Sequence, residues 1–213
     1  MTTPALPLKD SLSKLFPDQL TTDQGNGSVA IAYKHDADGN LIEDQKWKYT
    51  WNGENRLIAM ETRDPKNTQR LEFTYDPQGR RISKTTLKPG KRKNAWKKES
   101  QTYYIYDNWN LIAELDKKGN LLRTHLWGQD LSGTLQGAGG VGGLLATKDH
   151  STNQTHQTIY DANGNIVQYV DASTGQTTAV YDYDPFGNVT TTQATGNHNL
   201  PFQFSTKYQD GET

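Results

Sequence analysis

A short turn sequence recurs along this chain and limits what it can fold into. Its clearest copy is residues 184–187, Asp-Pro-Phe-Gly. Asp at the first position can accept hydrogen bonds from its own turn, Pro has its φ already set, and Gly at the fourth position accepts a positive φ. Tyr183 precedes the turn and Val189 follows it, as is typical of flanking β-strands. We therefore predict a β-hairpin at this position.

The same pattern occurs eight times: an apolar or aromatic residue, Asp or Asn, two or three variable residues, Gly or Asn, and then a strand. At two fourth positions Asn55 and Asn110 replace Gly, and Asn also tolerates left-handed φ. Eight copies in one chain indicate a structural repeat. The residues predicted to shape these turns are Asp36, Gly39, Asn52, Asn55, Asp76, Gly79, Asp107, Asn110, Asp116, Gly119, Asp161, Gly164, Asp171, Gly175, Asp184, Pro185 and Gly187.

The spacing of the turns predicts the fold class. About one strand length separates most neighbouring turns, which favours antiparallel neighbours throughout. In residues 46–51, Trp47, Tyr49 and Trp51 alternate with polar residues and so share one face of a strand. Only 32% of the chain is hydrophobic, and aromatic residues supply much of that share. We predict an all-β fold in which antiparallel hairpins form a curved ribbon or partial shell.

The chain divides into a leader and a repeat domain. Residues 1–28 contain three prolines and precede the repeats, and residues 10–16 could form about two turns of helix. We predict a short irregular or helical leader that is mobile or docks through its apolar face, which could plug an open end of the sheet. Residues 29–213 form the predicted repeat domain, with a glycine-rich crossing loop at 127–145.

The repeated turns resemble those of the YD-repeat family, also called RHS repeats, over residues 33–213. The most specific part is residues 184–188, Asp-Pro-Phe-Gly-Asn, followed by residues 201–213, which look like the start of the RHS-associated core segment. The family occurs in bacterial polymorphic toxins, insecticidal toxin complexes and animal teneurins. The resemblance implies a hairpin ribbon that wraps into a hollow shell around a toxin cargo. The family's autoproteolytic segment would follow Thr213, so the resemblance assigns no catalytic residue to this chain.

The resemblance implies a structural, encapsulating module, and we expect it not to be an enzyme. Its expected partners are a C-terminal toxin cargo or the remaining shell segments of a longer protein, with self-association through exposed edge strands. The alternative is a cell-surface adhesion or carbohydrate-binding module in which exposed Trp and Tyr stack on glycan rings. An exposed row of aromatic residues would favour the alternative, whereas buried aromatic residues favour the shell. The resemblance implies a secreted or cell-surface location as part of a larger protein. The chain shows no signal peptide, so we expect export to need a leader that it does not carry.

Composition excludes several other classes. The formal net charge of −1 argues against a protein that binds nucleic acids or membrane surfaces generally. The chain has no cysteine, so it offers no disulfide framework and no thiolate chemistry. No apolar run approaches the roughly 18 residues that cross a bilayer. Residues 88–98 place six basic residues around Trp96, a combination that can grip phosphates and stack a base. A solvated hairpin loop between Thr85 and Glu99 explains this charge run better, because no nucleic-acid-binding fold surrounds it, and we expect no nucleic-acid partner.

The remaining candidate sites fail their motif tests. The glycine-rich residues 128–145 lack a Gly-Lys-Ser/Thr ending and the G-x-G-x-x-G fingerprint, and Ser132 is not in a G-x-S-x-G elbow. Asp182 and Asp184 could form an acid–base pair or a cation site, but Asp184 already serves as a turn cap. We predict no catalytic residue, no cofactor and no metal site. The histidines lack metal-ligand spacing; they are His35, His125, His150, His156 and His198.

Overall fold

The computed structural model describes residues 19–22, 29–92, 95–194 and 200–212, and their regular secondary structure is almost entirely β-strand. The strands are β1 (Gln19–Thr22), β2 (Val29–Ala32), β3 (Lys34–His35), β4 (Leu41–Glu43), β5 (Trp47–Trp51), β6 (Leu57–Thr62), β7 (Arg70–Tyr75), β8 (Arg81–Pro89), β9 (Trp96–Asp107), β10 (Asn110–Asp116), β11 (Leu121–Trp127), β12 (Leu144–Asp149), β13 (Gln154–Tyr160), β14 (Ile166–Asp171), β15 (Thr177–Tyr183) and β16 (Val189–Ala194). A single 3₁₀ turn follows at Phe204–Thr206. Among these residues no helix has the length and apolar character needed to cross a membrane.

The strands follow one another in space in the order in which they occur in the chain. Strands β3 to β16 form one open 14-stranded antiparallel sheet, and β1 pairs with β2 in a separate two-stranded sheet. The predicted all-β fold of successive antiparallel hairpins is confirmed. Within the predicted leader, Gln19–Thr22 is a strand, whereas residues 10–16, with their predicted helix, lie outside the described residues.

The chain divides into two compact units. The first contains Met1–Thr74 and Lys84–Glu99, and the second contains Tyr75–Ser83 and Ser100–Thr213. In the first unit, β5 alternates as its sequence predicts, since Trp47 is buried while Lys48 and Thr50 are exposed. Removal of these large side chains from water stabilises the hairpin that carries them. The buried apolar residues of this unit are Trp47, Ala59, Met60, Leu71, Phe73 and Leu87.

The second unit has a core made largely of aromatic side chains. Tyr169 on β14 is fully buried, and its ring meets that of Tyr181 edge-on at a centroid distance of 6.3 Å. Edge-to-face pairs of this kind are favoured over face-to-face stacks. The core residues are Tyr104, Leu111, Leu144, Ile166, Tyr169, Ala179, Tyr181, Leu200 and Phe202. The aromatic residues of the repeats therefore supply the buried face of this sheet.

The structure corrects the predicted path around the glycine-rich segment. The loop occupies residues 128–143 rather than 127–145, because Trp127 and Leu144 are paired strand residues. It connects the neighbouring strands β11 and β12, so it returns the chain instead of crossing to a distant segment. The hairpin of β12 and β13 was not predicted from the sequence. Its turn begins at Asp149 and reaches a positive φ of 59° at Asn153, the same spacing as in the turn from Asp171 to Gly175. Lys148 precedes it where the pattern has an apolar or aromatic residue.

An aromatic side chain before many of the turns binds the preceding strand. Tyr183, at the end of β15, donates its hydroxyl hydrogen bond to the carbonyl oxygen of Ile166, at the start of β14, at 2.6 Å. We call such residues aromatic clamps. Each has a ring that packs and an N–H or O–H that bonds to backbone. The clamps and their acceptors are Trp51 with Leu41 (2.7 Å), Tyr106 with Arg81 (3.1 Å), Trp127 with Leu111 (2.7 Å), Tyr160 with Leu144 (2.5 Å) and Tyr183 with Ile166.

Removal of one clamp hydroxyl should destabilise the second unit. For Tyr183→Phe we expect the free energy of unfolding to fall by about 1 kcal/mol, because the ring remains while its net hydrogen bond is lost. Urea unfolding followed by circular dichroism measures this change. Tyr103→Phe is the matched control, since Tyr103 is 40% exposed on β9 and its substitution should leave the midpoint nearly unchanged. Equal midpoints for the Tyr183 variant and the parent would contradict a stabilising role for the clamp bond.

Candidate functional site

The repeated Asp turns share one hydrogen-bonding arrangement. In the last turn, Asp184 Oδ1 accepts the backbone N–H groups of Phe186 (2.8 Å) and Asn188 (2.9 Å). Its Oδ2 accepts the Asn188 side-chain amide at 2.7 Å. Both carboxylate oxygens are thus satisfied within five residues, which gives the turn its shape. The same side-chain pair recurs at Asp36 with Asn40, Asp116 with Asn120, and Asp161 with Asn165.

The Asn that follows the Gly is a turn residue that the sequence analysis missed. Its signal is present in the chain as Asp-x-x-Gly-Asn, which occurs four times. In the turn of Asp76 the partner is instead Arg80, whose Nε donates to Asp76 Oδ2 at 2.6 Å. At Asp171 the side-chain partners are the hydroxyls of Ser173 (2.5 Å) and Thr174 (3.2 Å). The donor to the turn carboxylate is therefore Asn or Arg at the fifth position in five turns, and Ser and Thr at the third and fourth positions in the turn of Asp171.

Positive φ angles occur close to the end of most of the repeated turns. Gly187 has a φ of 85°, and a Cβ added there would lie 2.6 Å from the Phe204 ring, so both backbone and space favour glycine. Asn55 has a φ of 55°, the left-handed value that Asn tolerates. The turn after β9 differs from the prediction, because its left-handed residue is Asn108 (φ 49°) and not Asn110. Asn110 pairs with Asp107 as the first residue of β10, which leaves a two-residue loop.

The turn carboxyls hold their charge more strongly than free carboxyls. The Asn188 side-chain hydrogen bond lowers the pKa of Asp184, and Asn120 does the same for Asp116. Hydroxyl and backbone donors lower the pKa of Asp171 to about 2, with the Ser173 hydroxyl bond as the largest cause. Donors that stabilise the ionised form lower a pKa in this way. These carboxylates are suited to holding turns and poorly suited to accepting a proton near neutral pH.

The end of the chain lies across the second unit as a strap, which we define as residues 200–212. Leu200 and Phe202 are buried in its core. The Tyr169 hydroxyl donates to the Phe202 carbonyl at 2.8 Å, and the Thr206 hydroxyl donates to the Gly164 carbonyl at 2.8 Å. The strap therefore contacts both the middle of β14 and the turn that precedes it.

Two polar contacts anchor the far end of the strap. The Tyr208 hydroxyl donates to Glu114 Oε2 at 3.0 Å. Asp210 forms a two-pronged ion pair with Arg81, in which one N–O distance is 3.0 Å. The Arg81 guanidinium also lies over the rings of Tyr104 and Tyr208, at 5.0 and 5.6 Å from their centroids. Bidentate pairing and ring contact suit arginine's planar side chain.

Glu114 lies at the centre of a buried polar cluster, which we define as Glu114, Arg123, His125 and Thr147. Glu114 Oε1 lies 3.0 Å from Arg123 Nε and 3.1 Å from His125 Nε2. The other ring nitrogen of His125 lies 3.0 Å from the Thr147 hydroxyl. Burial is the largest influence on the pKa of His125, which is lowered despite the opposing effect of Glu114. No motif or spacing marks these residues, because the fold alone brings the three strands side by side.

The other sequence candidates do not form a reaction centre. Asp182 is exposed on β15 opposite Thr191. The Ser132 hydroxyl donates to Asp130 at 2.6 Å, and Asp130 also accepts backbone N–H groups of the glycine-rich loop. In the basic cluster, Lys88 pairs with Glu99 at 2.6 Å. Within the described part of the chain, no three His, Asp or Glu side chains come together in a way that could hold a metal ion.

Comparison with known proteins identifies the repeat. The family model described as RHS Repeat matches residues 160–198, which include the turns at Asp161, Asp171 and Asp184. The tRNA nuclease WapA of Bacillus subtilis is 31% identical over 160 residues, and the tRNA3(Ser)-specific nuclease WapA of Bacillus spizizenii is 28% identical over 162 residues. Each match covers 75% of this chain but only 6% of the relative. This chain therefore corresponds to a small section of those proteins.

Solved structures share the fold. The crystal structure of TcdB2-TccC3 superposes with a TM-score of 0.58 and 16% identity, covering 90% of this chain and 10% of that one. The Tc holotoxin pore of Photorhabdus luminescens gives a TM-score of 0.57 at 17% identity, with 83% and 8% coverage. The repeated turns, the matching RHS Repeat model and the WapA relatives show that this chain belongs to the RHS-repeat family.

Proposed function

We propose that this chain is a structural section of the shell of an RHS-type toxin and that it has no catalytic role of its own. The observation that carries the proposal is the use of the turn carboxylates. At Asp36, Asp116, Asp161 and Asp184 both oxygens accept hydrogen bonds from the turn itself. A general acid or base needs an oxygen that can reach a substrate. These turns instead serve as the repeated structural element of the shell.

The buried polar cluster supports the same function. Thr147, His125 and Glu114 are hydrogen-bonded in that order. A hydroxyl, an imidazole and a carboxylate in this order resemble a nucleophile, its general base and the group that orients the base. Thr147 and Glu114 are nevertheless completely buried, and the His125 side chain has no exposed area. A substrate carbonyl cannot approach the Thr147 hydroxyl in this arrangement. The cluster therefore joins β10, β11 and β12 and holds Tyr208 of the strap.

The exposed aromatic residues do not favour the adhesion or carbohydrate-binding alternative. The large exposed aromatic side chains in the described residues are Tyr103 on β9, Trp109 in the following turn and Phe186 in the last turn. They do not form a row on one face of the sheet. The aromatic residues of the second unit otherwise lie mainly in or against its core. Burial of the ribbon's aromatic face is the arrangement that we expect for a shell.

The proposed partners are the rest of a longer polypeptide and its toxin cargo. The WapA relatives and the double-stranded DNA deaminase toxin A of Burkholderia cenocepacia, 29% identical over 94 residues, are each far longer than this chain. We propose that residues 29–213 act as one repeat region within such a protein, and that it is secreted or displayed at the cell surface. A shell of this kind would keep a passenger away from solvent and proteases.

A domain exchange tests the shell function. This chain replaces the matching 160-residue section of B. subtilis WapA, and the tRNA nuclease activity that survives trypsin treatment is measured. We expect the chimaera to retain far more activity than a WapA from which the section is deleted, because a continuous shell excludes the protease. An equal loss of nuclease activity after trypsin treatment in the chimaera and in the deletion protein would contradict the shell function. The isolated chain should cleave no tRNA, and cleavage by it would contradict the non-catalytic role.

The buried imidazole predicts acid sensitivity of the second unit. The pKa of His125 is lowered in the folded chain, so the unfolded chain binds more protons once the pH falls below about 6.5. Stability is therefore fully present above that pH and is lost as the pH falls towards the folded-state pKa. We expect the urea midpoint to drop between pH 7.5 and pH 5.5, and the drop to be smaller in His125→Gln. His35→Gln, at an exposed position, should behave as the parent, and an unchanged drop in His125→Gln would contradict the assignment.

A further inference from the structure

A cleft opens in the second unit between the turn after β9 and the glycine-rich loop. Its volume is about 370 Å³, and its apolar walls include Ile112, Leu126 and Leu135. Leu126 and Leu135 are each 61% exposed. Large apolar side chains gain free energy when they leave water, and their grouping around a concave site is typical of a surface that binds a partner.

Polar groups around the cleft are bonded to one another. Gln136 joins the loop to the turn, since its Oε1 accepts the Trp109 backbone N–H at 3.1 Å and its Nε2 donates to the Asp107 carbonyl at 3.0 Å. The Trp127 indole N–H donates to the Leu111 carbonyl as an aromatic clamp. With these groups engaged, the cleft favours an apolar side chain over an ion or a sugar.

The cleft shares one side of the sheet with the tips of other hairpins. Successive connections in an antiparallel meander alternate between two sides. The turns that begin at residues 107, 161 and 184 and the loop at 128–143 therefore lie on the same side of the second unit. Phe186, the third residue of the last of these turns, is 88% exposed. Its backbone N–H donates to Asp184 Oδ1 at 2.8 Å, so the turn holds an outward-facing aromatic ring.

We propose that the cleft binds an aromatic side chain at a hairpin tip from another section of the ribbon, of the kind that Phe186 presents. In a ribbon that winds into a shell, the hairpin tips of one winding face the next winding. The polypeptide of the relatives extends far beyond the matched section, because this chain corresponds to only 6% of B. subtilis WapA. The assignment rests on the proposed shell function and supplies it with a side-chain contact between windings.

The probe is a cyclic peptide of residues 183–189, Tyr-Asp-Pro-Phe-Gly-Asn-Val, added to the full chain. We expect saturable NMR shifts of the backbone amides at residues 107–112, 126–127 and 135–136, with a dissociation constant on the order of 1 mM. The Phe186→Ala peptide should bind about tenfold more weakly, because burial of the aromatic ring contributes at least that factor. Equal binding of the two peptides, or shifts that lie outside the cleft, overturns the proposal.

A charge placed in the cleft wall tests the site from the side of the protein. Leu135→Asp should abolish peptide binding, because the ring would then be buried against a carboxylate. Leu131→Asp is the matched control, since Leu131 is exposed in the same loop but does not line the cleft, and it should bind as the parent does. Circular dichroism establishes that both variants are folded. Undiminished binding by Leu135→Asp overturns the proposal, and the shifts in the parent test it independently of either variant.

A linear peptide of the same seven residues tests the requirement for a hairpin tip. We expect it to bind more weakly than the cyclic peptide, because it must lose conformational freedom to form the turn. Equal binding would assign the cleft to any apolar segment and overturn the hairpin-tip assignment. These measurements need neither a nuclease nor a protease. A failed WapA chimaera and a cleft that binds no hairpin tip are therefore distinguishable results.

Discussion

A hydrogen bond from an indole or phenol to the backbone of the neighbouring strand is the interaction on which the repeated structure depends. A single two-stranded hairpin is marginally stable in water, so each hairpin must be fastened to the next. The clamp residues do this with one side chain, since the ring buries apolar area and its polar atom finds a carbonyl. Tyr160 and Tyr183 repeat the same contact one hairpin apart. A phenylalanine at a clamp position would pack its ring in the same way but could not donate the hydrogen bond to the backbone carbonyl.

The strap and the buried polar cluster add a second kind of constraint. Local contacts can join a strand only to its neighbours, whereas Tyr208 meets Glu114 across 94 residues of sequence. A buried carboxylate is tolerated only when cations and hydrogen-bond donors surround it. Arg123, His125 and Tyr208 provide those partners. The hydrogen bond from Tyr208 to the buried cluster therefore fixes the position of the strap on the sheet, together with the burial of Leu200 and Phe202.

Local sequence was sufficient for the fold but not for the contacts between distant residues. The positions of Asp and Gly predicted most hairpins, because a turn of this type is determined by four or five adjacent residues. The same pattern placed the positive φ at Asn110 instead of Asn108, since it assumed a longer loop than the two residues observed. It missed the turn at Asp149, because Lys148 precedes that turn in place of an apolar or aromatic residue. The buried cluster has no local pattern at all, because strand pairing alone brings Glu114 beside His125.

The self-contained turn has a consequence for how such a chain can change length. In five of the turns the Asp satisfies both of its oxygens within five residues, namely Asp36, Asp76, Asp116, Asp161 and Asp184. A hairpin with such a turn brings its own turn chemistry when it is duplicated. The clamp reaches back only to the adjacent strand, and a new hairpin can therefore dock on whichever hairpin precedes it. Gene duplication could thus lengthen or shorten the ribbon by whole hairpins without redesign of the remainder. The strap, which binds particular strands, would limit that freedom near the end of the repeat.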